Sequence, residues 1–386
     1  MAVIKYITAG ESHGKMLVGI ISGIPAGLRI DGSFVDGELG RRMQGFGRGG
    51  RMKIERDRAE FVTGVRAHYS IGSPITAVIY NKDFDNWSNA MGENAVAEAM
   101  EAKRVTAVRP GHADLSGAVK YGFTDARNVL ERASARETAM RVALGAVAKL
   151  YLKSLGIVIA SHTVSIGNVT AKACSDYSDI NARADGDAVR CLDGAASEKM
   201  VEAIKSAAED GDTLGGVVEV VVTGCKSGIG SYVGEDKKLD GIIMREVGCV
   251  QSIKAVEIGR GIENASLRGS EVHDEIYPCG KHYMRKTNRA GGVEGGMTNG
   301  ENIIVRAYCK PIPTLMKGLN TVDISSYEAV KAAAERSDVC AVPAIGVVCE
   351  SAVALGLCEA LSDMLGGDTM QEVVERYEKK ESSHEQ

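Results

Sequence analysis

A short loop near the N-terminus, Gly10-Glu11-Ser12-His13-Gly14, contains residue types that could do chemistry. It matches the G-x-S-x-G signature of a hydrolase nucleophile elbow. An elbow needs a strand before the serine and a helix after it. Residues 2–8 can form that strand, but residues 17–21 are β-branched and followed by glycine-rich turns, which predicts a second strand instead. Ser12 is therefore expected in a loop between two strands.

The same loop also resembles a phosphate-binding loop, from Gly10 to Lys15. That motif requires four residues between its glycines and a serine or threonine after the lysine. This chain has three residues between the glycines, and Met16 follows Lys15. Neither motif fits, so the role of Ser12 and His13 must be inferred from the rest of the chain.

Arginine and glycine alternate in the segment between Arg41 and Arg58. Its basic residues are Arg41, Arg42, Arg48, Arg51, Lys53, Arg56 and Arg58. Composition alone favours a solvated run of charge or an Arg/Gly segment that binds RNA. The chain has a formal net charge of −5, and this segment contains one aromatic residue, Phe46. Both observations argue against binding to nucleic acid. A third interpretation is a cage for a small polyanion, because arginine makes bidentate contacts with phosphate and carboxylate.

A helix with a capping box, Ser134-Ala135-Arg136-Glu137, is predicted to extend to Leu155 and to end at Gly156. Its N-terminus, flanked by Arg132 and Arg136, predicts a second anion site. Two further polar groups are candidates for the same cleft. They are the turn Arg109-Pro110-Gly111-His112-Ala113-Asp114 and the segment Glu335-Arg336-Ser337-Asp338.

The composition of the chain also indicates its compartment and bears on membrane spans and metal sites. Nine cysteines lie apart from one another without a C-x-x-C pair, which favours a reducing compartment and a cytoplasmic protein. The most apolar stretch, 341–349, is interrupted by Pro343 and stopped by Glu350, so neither a signal peptide nor a membrane span is expected. His273, Cys279 and His282 match no common zinc spacing, and no metal site is expected.

The pattern along the chain predicts a mixed α/β fold. Strands are predicted at 75–80, 157–166 and 303–309, and helices at 325–335 and 347–365. The polar region 170–197 is expected to be a surface excursion. GKMLVGIISGIPAGL from Gly14 and GGVVEVVVTGCKSGIG from Gly215 share a glycine, a β-rich run and x-G-x-x-x-G. This internal echo indicates two related halves, each with its own sheet.

Three blocks together resemble the signatures of the chorismate synthase family: GESHGKMLVGIISGIPAG, ERASARETAMRVALGAVAK and ERSDVCAVPAIG. Further matching stretches are GRGGRMKIERD, RPGHADL, AVEIGRG, NRAGGVEGGMTNG and KPIPTL. The resemblance implies a lyase that makes chorismate from 5-enolpyruvylshikimate 3-phosphate by anti-1,4-elimination of phosphate. It also implies a requirement for reduced FMN without net redox change. The substrate and FMN are anionic, which suits the Arg-rich segment and the capped helix.

The resemblance implies a role for each candidate in turn. His13 would be the acid near the leaving phosphate, with Ser12 orienting and relaying rather than forming an acyl-enzyme. His112 would lie beside the reduced flavin, and Asp338 would belong to a proton relay near its N5. Ser134 matches a second serine of the family's site. The implied FMN contacts are Arg132, Ala133, Ser134, Gln251, Ser252, Gly295, Lys310, Pro311, Ile312, Pro313, Thr314 and Arg336.

Arg42 and Arg48 match a pair that the family associates with NADP, although holding substrate suits an enzyme without reductase activity better. Arg51, Arg109 and Arg136 are further candidates for the anionic groups of the substrate. NADPH is a candidate upstream reductant of the flavin, and the sequence leaves open whether a separate reductase or this chain itself carries out the reduction. The segment Ala67-His68-Tyr69-Ser70-Ile71 departs from the family's usual turn.

The fold that the resemblance implies is α+β, a β-α-β sandwich with a helical layer between two antiparallel sheets and pseudo-twofold internal symmetry. Residues 1–386 would form a single domain with halves at roughly 1–160 and 200–386. A homotetramer is also implied, with no nucleic-acid partner and no membrane.

Overall fold

The computed structural model describes residues 3–49, 56–332 and 338–382. The strands are β1 (Lys5–Ala9), β2 (Met16–Ser22), β3 (Glu60–Thr63), β4 (Val65–Arg66), β5 (Tyr69–Ser70), β6 (Ile75–Tyr80), β7 (Val158–Ile166), β8 (Val169–Thr170), β9 (Gly216–Thr223), β10 (Ile253–Ile258), β11 (Ile276–Cys279), β12 (His282–Arg285), β13 (Val293–Glu294), β14 (Met297–Thr298), β15 (Ile303–Cys309), β16 (Asn320–Val322) and β17 (Ala329–Lys331).

Helices separate these strands at irregular intervals. The α-helices are α1 (Gly32–Met43), α2 (Ser88–Met91), α3 (Ala97–Ala102), α4 (Asp114–Tyr121), α5 (Arg127–Ala133), α6 (Thr138–Lys153), α7 (Ile180–Asp185), α8 (Gly194–Glu209), α9 (Leu239–Gly248), α10 (Gly261–Asn264), α11 (Gly269–Val272), α12 (Val342–Leu365) and α13 (Met370–Ser382). Short 3-10 turns occur at Phe84–Asn86, Ala135–Glu137 and Glu235–Lys237.

The first large sheet has four antiparallel strands in the order β1–β2–β6–β3. Side chains alternate across it, so that Leu17 and Ile21 of β2 are buried while Ile20 faces outward. Residues 10–15 connect β1 to β2, and the element after Ser12 is a strand. The predicted loop between two strands is therefore confirmed, and the context of a nucleophile elbow is not met.

The second large sheet has five antiparallel strands in the order β10–β15–β9–β7–β8. Strand β9 lies at its centre and carries valines on both faces, together with the buried Glu219, which pairs with His162 and Arg306 of the neighbouring strands. Val220 faces the main core, whereas Val221 packs in a second cluster with Ile180 of α7 and Ile304. The polar region 170–197 therefore does more than form a surface excursion, because α7 covers one face of this sheet.

Two long helices connect the sheets to the main core. Helix α6 contacts β2 and β6, helix α12 contacts β7 and β9, and the two helices pack against each other. Their close approach depends on glycine. A Cβ on Gly145 of α6 would lie 2.3 Å from Cβ of Ser351, and one on Gly19 of β2 would lie 2.5 Å from Sδ of Met140. Both positions require the absence of a side chain.

Several sequence predictions match the structure closely. The strands at 75–80 and 303–309 have the predicted bounds, and β7 begins at Val158, one residue after the predicted start. Helix α12 ends at Leu365 as predicted but begins at Val342, earlier than expected. The reason is that Pro343 lies in its first turn, where the missing N–H costs nothing.

Helix α12 is the one helix in the described ranges that is long and apolar enough to cross a membrane. Of its most apolar 18 residues, 89% are buried inside the protein. The helix is therefore accounted for by the core that it forms with α6 and the second sheet.

The helix predicted at 325–335 is wrong where the structure describes it. The side chain of Asp323 accepts hydrogen bonds from the backbone N–H groups of Ser325 and Ser326, and Tyr327 has a φ of 62°. These features make a tight turn between β16 and β17, which pair with each other. A local Ser-x-x-Glu pattern at 325–328 was outweighed by the turn that Asp323 stabilises. Residues 333–335 lie outside the described ranges.

A charged cluster is buried where α1, α6, α12 and β7 meet. The carboxylate of Glu350 accepts hydrogen bonds at 2.8 Å from Arg41 and at 2.5 Å from both Lys149 and Ser161. Arg190 approaches it at 3.3 Å. Burial alone would raise the pKa of Glu350, but Arg41 and Lys149 outweigh it and lower that pKa.

Glu350→Gln is expected to lower the free energy of unfolding by about 3 kcal/mol, because Arg41 and Lys149 lose one of the two buried carboxylates that they share and keep only Glu38 in common. Equilibrium urea denaturation at pH 7 measures this loss. Glu198→Gln, at an exposed position on α8, is the control and should change stability by less than about 0.5 kcal/mol. Equal, small effects in the two variants would contradict the central role of Glu350.

Candidate active site

The loop between β1 and β2 is fixed by hydrogen bonds from two directions. Ser12 is buried, and its backbone N–H donates to the carbonyl of Glu131 at 3.0 Å. Asn81, just after β6, donates through Nδ2 to the carbonyl of Gly14 at 2.7 Å. Gly10 has a φ of 104°, and a Cβ there would lie 2.4 Å from the carbonyl oxygen of Met16. The loop therefore needs glycine to make its turn.

His13 is held by α5. Its Nδ1 lies 2.9 Å from Oε1 of Glu131, and its backbone N–H donates to Oε2 of the same carboxylate at 2.8 Å. Arg127 donates to that carboxylate at 3.0 Å. Burial would raise the pKa of Glu131, but His13 and Arg127 outweigh it and lower the pKa. His13 thus lies against an ionised acid that is fully buried.

Ser134 lies where α5 gives way to α6. Its Oγ accepts the backbone N–H of Arg136 at 3.2 Å, so the predicted cap is present. The predicted capping box is not closed, because the carboxylate of Glu137 accepts instead from Thr8 at 2.7 Å and from Gln251 at 3.1 Å. A 3-10 turn therefore follows the cap, and the predicted helix begins as α6 at Thr138.

Two arginines of the predicted substrate set meet beside this helix start. Arg136 donates through Nε to Oδ1 of Asn81 at 3.0 Å and pairs with Asp57 at 2.6 Å. Arg42 donates through Nη2 to the carbonyl of Ala135 at 2.9 Å and lies 4.0 Å from Asp57. Both arginines are buried. A solvated charge run is therefore wrong for Arg42, and also for Arg41 in the Glu350 cluster.

Arg48 and Asp338 form a direct pair. The distance from Nη1 of Arg48 to Oδ2 of Asp338 is 3.2 Å, and the backbone N–H of Gly49 donates to Oδ1 at 2.6 Å. Arg48, which the sequence predicts to bind substrate, thus contacts Asp338, which it predicts to take part in proton transfer. Arg51 and Arg336 lie outside the described ranges.

The 109–114 turn is organised by one buried carboxylate. Asp114 accepts from Nε of Arg109 at 2.8 Å and contacts Nδ1 of His112 at 2.5 Å. Burial would raise the pKa of Asp114, but His112 and Arg109 outweigh it and hold that pKa well below its usual range. The carboxylate therefore stays ionised and fixes both neighbours.

The segment Lys310 to Thr314 closes on this turn. Arg109 reaches Oγ1 of Thr314 at 3.5 Å, and Lys310 donates through Nζ to the carbonyl of Gly111. The backbone N–H of Lys310 also donates to the carbonyl of Ser252 at 3.0 Å. Pro311, Ile312 and Pro313 complete the segment between these contacts. His112, Thr314 and Ser252 are thereby brought to one region.

The junction of α5 with the first sheet involves Arg132. Its Nη2 donates to the carbonyl of Thr8 at 2.8 Å, and its Nη1 donates to the carbonyl of Gly10 at 3.1 Å. Ala133 is the last residue of α5 and precedes Ser134. These contacts attach the end of α5 to the loop that carries Ser12 and His13.

Polar atoms without a hydrogen-bond partner are buried near Glu137. Within the described ranges they include Oε1 of Gln251, Oγ of Ser252, and Nε and Nη1 of Arg141. Gln251 and Arg141 both contact Glu137, at 3.1 and 3.5 Å. Buried polar groups are normally satisfied, so these atoms indicate a place where a polar ligand would supply the missing hydrogen bonds.

Gly295 lies elsewhere, in the turn between β13 and β14. It borders a cleft of about 590 Å³, whose described lining includes Met244, His273 and Asp274 but none of the other predicted site residues. In the part of the chain that the structure describes, no group of three His, Cys, Asp or Glu side chains is arranged to hold a metal ion.

Comparisons with known proteins place the chain. The sequence model of the family described as "Chorismate synthase" matches residues 4–362. The chorismate synthase of Alkaliphilus metalliredigens is 50% identical over 370 residues, covering 96% of this chain and 97% of the relative. That of Shouchella clausii is 51% identical over 382 residues, covering 97% and 98%. A "Crystal Structure of Chorismate Synthase" matches with a TM-score of 0.80 and 38% identity, over 100% of this chain and 99% of that one.

The chain belongs to the chorismate synthase family. Its activity is that of a carbon–oxygen lyase, EC 4.2.3.5, which forms chorismate in the last step of the shikimate pathway and so serves aromatic amino acid biosynthesis. A dependence on FMN follows from the family. The unsatisfied atoms of Gln251, Ser252 and Arg141 fit a ligand that, like a flavin, offers both donors and acceptors.

Sequence reasoning missed the residues that support the site of this chorismate synthase family member. Glu131 and Asp114 were inside quoted blocks, yet only their contacts reveal that they hold His13 and His112. Asp57 likewise ends the quoted stretch GRGGRMKIERD without a role of its own, and Asn81 gave no sequence signal. Trp87, whose ring stacks on His13, could have been singled out as the only tryptophan of the chain.

Asp114→Asn is expected to destabilise the fold at pH 7 by about 3 kcal/mol, because Arg109 loses a buried anion. The folded-state pKa of Asp114 is lowered, so its contribution is complete above the unfolded pKa of about 3.9 and is lost as pH falls below it. Urea denaturation should therefore show the difference from wild type shrinking below about pH 4.

The exposed Asp210, changed to Asn, is the control for this series. It should leave the pH dependence of stability as in the wild type. A gap between wild type and Asp114→Asn that stayed constant from pH 7 down to about pH 2 would contradict the assignment.

Proposed function

We propose that His13 is the general acid that protonates the departing phosphate of 5-enolpyruvylshikimate 3-phosphate in an anti-1,4-elimination. One observation supports this proposal above all. The loop bearing Ser12 and His13 is hydrogen-bonded to Glu131 and to Asn81, and Asn81 also accepts a hydrogen bond from the buried Arg136. An acid and a set of cations are thus built as one unit. The unperturbed pKa of a histidine side chain, about 6.5, is close to working pH, so histidine can be protonated to act as an acid and can then be reprotonated.

The arginines would bind the anionic groups of the substrate, which carries one phosphate and two carboxylates. Arg42 and Arg136 lie at the start of α6, where Ser134 and the helix N-terminus also favour an anion. Arg48 and Arg109 would contribute from the two flanking segments. Arg51 is proposed for the same set on its sequence position alone.

Ser12 would orient and relay rather than attack, since its backbone is fixed to Glu131 and a strand follows it. His112, with Nδ1 against Asp114, would exchange a proton through Nε2. Asp338, paired with Arg48, would complete a relay that accepts the proton from C6 of the substrate. Ser134 would place its hydroxyl at the same anion site.

Reduced FMN would be held by the residues around α5, Gln251 and the 310–314 segment, with Gly295 and Arg336 included on their sequence positions alone. These are Arg132, Ala133, Ser134, Gln251, Ser252, Gly295, Lys310, Pro311, Ile312, Pro313, Thr314 and Arg336. When bound, the flavin supplies an electron-rich ring without undergoing net oxidation. NADPH would act only as an upstream reductant. The engagement of Arg42 and Arg48 with the helix start and Asp338 supports their use for substrate.

We also propose that residues 1–386 form a single domain built as a β-α-β sandwich with pseudo-twofold symmetry. The echo segments support this, since β2 and β9 each lie inside a sheet, while α6 contacts the first sheet and β7 of the second, and α12 contacts the second sheet. The halves would be roughly 1–160 and 200–386. A homotetramer in the cytoplasm, without nucleic-acid or membrane partners, completes the proposal.

The function is tested by mixing the anaerobic protein with dithionite-reduced FMN and 5-enolpyruvylshikimate 3-phosphate, and measuring phosphate release. Within that assay, His13→Ala should slow release by about 10²–10⁴-fold while reduced-flavin affinity is nearly unchanged. His112→Ala should lower both the rate and the affinity, and should shift the absorbance of the bound reduced flavin.

His282→Ala, at an exposed position on β12, is the control and should match the wild type. If His112→Ala spared the flavin and His13→Ala disturbed it, the two roles would be reversed. Equal effects on both quantities would mean that the histidines act as one network.

Gln251→Ala should weaken reduced-FMN binding by about tenfold, because one hydrogen bond of ordinary strength, about 1.4 kcal/mol, is lost. Anaerobic absorbance titration measures the affinity. Gln371→Ala, exposed on α13, is the control. An unchanged affinity in a folded Gln251→Ala protein would remove Gln251 from the flavin site.

A further inference from the structure

His13 is in contact with a second residue that no sequence motif assigns to the site. The ring of Trp87 stacks on the imidazole, with centroids 4.0 Å apart and planes inclined by 24°. The side chain of His13 is one-fifth exposed, whereas that of Glu131 is fully buried. The imidazole therefore has a buried acid hydrogen-bonded to its Nδ1 and an indole against its face.

The acid determines which nitrogen carries a hydrogen. Glu131 is ionised, since His13 and Arg127 outweigh its burial and lower its pKa, and an ionised carboxylate only accepts hydrogen bonds. Nδ1 of His13, at 2.9 Å, must therefore be the donor. Proton exchange with a ligand is left to Nε2, on the opposite side of the ring.

The indole restrains the one movement that Glu131 cannot prevent. A hydrogen bond at Nδ1 fixes a direction within the ring plane but still permits the plane to tilt about that bond. Stacking on Trp87 opposes such a tilt. Trp87 is itself fixed, since its Nε1 donates to Oδ2 of Asp83 at 2.9 Å.

Charged groups surround this stack. Nζ of Lys103 lies 4.4 Å and Cζ of Arg127 lies 5.1 Å from the centroid of the indole ring, both within range of a cation–π contact. Arg127 also donates to Glu131, which links the cation on the indole to the acid that holds His13. The indole is thus held from three elements, which makes it a rigid support for the imidazole.

We propose that Glu131 and Trp87 are positioning residues of the elimination, which together hold His13 with Nδ1–H on Glu131 and Nε2 directed to the leaving phosphate. This inference rests on the proposed role of His13 as the acid. It goes further by stating that Glu131 determines which nitrogen of His13 carries the hydrogen. Trp87, the only tryptophan of the chain, determines the orientation of the imidazole plane.

The contact itself has a spectroscopic signature. Removing the stacked imidazole changes the surroundings of the indole, so the fluorescence of Trp87, the only tryptophan of the chain, reports the contact in flavin-free protein. At pH 7, His13→Asn should change the intensity or the emission maximum relative to wild type, whereas His282→Asn, at an exposed position, should not. An unchanged spectrum in a folded His13→Asn protein would show that the two rings do not stack.

The kinetic test separates positioning from binding. Glu131→Gln and Trp87→Leu should each slow single-turnover phosphate release by about 10- to 100-fold, a loss like that caused by removing the group that orients a metal-bound histidine. The dissociation constant of 5-enolpyruvylshikimate 3-phosphate should change by less than about threefold. Trp87→Phe keeps a stacking ring and should recover most of the rate. Glu98→Gln, exposed on α3, is the control for the carboxylate.

A double-mutant cycle decides whether Trp87 acts through His13. In a His13→Ala background, Trp87→Leu should have no further effect on the rate. Slowing by the same factor in both backgrounds would overturn the proposal, as would normal rates in Glu131→Gln and Trp87→Leu. Thermal denaturation of each variant identifies losses that reflect unfolding, and Trp87→Phe keeps the test valid if Trp87→Leu does not fold.

The outcomes also distinguish this proposal from the one on which it rests. A His13→Ala enzyme that releases phosphate at the wild-type rate would remove His13 as the acid. A slow His13→Ala enzyme beside fully active Glu131→Gln and Trp87→Leu enzymes would keep the acid and reject only the positioning role.

Discussion

Arginine keeps its charge at any pH a protein meets, so a guanidinium withdrawn from water must lie beside an anion or a carbonyl oxygen. This constraint determines how the site is built. Arg136 lies on Asp57, Arg109 on Asp114 and Arg48 on Asp338. The carboxylates keep the cations in place before any substrate arrives. Binding a polyanion then requires little rearrangement, which is the condition for electrostatic stabilisation during reaction.

The core and the site share one helix. Helix α6 packs on α12 through Gly145, and Met140 fills the space over Gly19 of β2. The same helix starts at Thr138, shortly after Ser134. Ser134 follows α5, which holds the loop that precedes β2. Packing in the interior therefore determines the distance between the helix start and His13. Small residues at the two contacts are part of the active-site geometry even though they lie far from any reacting atom.

Local patterns predicted some elements well. The strands at 75–80 and 303–309 have clear bounds because β-branched runs end at turn residues. The start of α12 was missed because Pro343 was interpreted as ending a helix, whereas it lies in the first turn of one. The helix predicted from Ser325 is wrong because Asp323 stabilises a turn there. Family blocks identified His13 and Arg136, but their partners Glu131 and Asp57 lie 118 and 79 positions away, and such pairing leaves no local pattern.

Glu350 has a second consequence, which concerns the chain before it folds. Helix α12 is apolar enough to be mistaken for a membrane anchor while it is still uncovered. An ionised carboxylate near the middle of a span raises the cost of insertion by about 3 kcal/mol. Until Arg41 and Lys149 reach it, Glu350 carries an unpaired charge that opposes partition into lipid. The glutamate that joins the core in the folded protein thus also biases the nascent helix toward water.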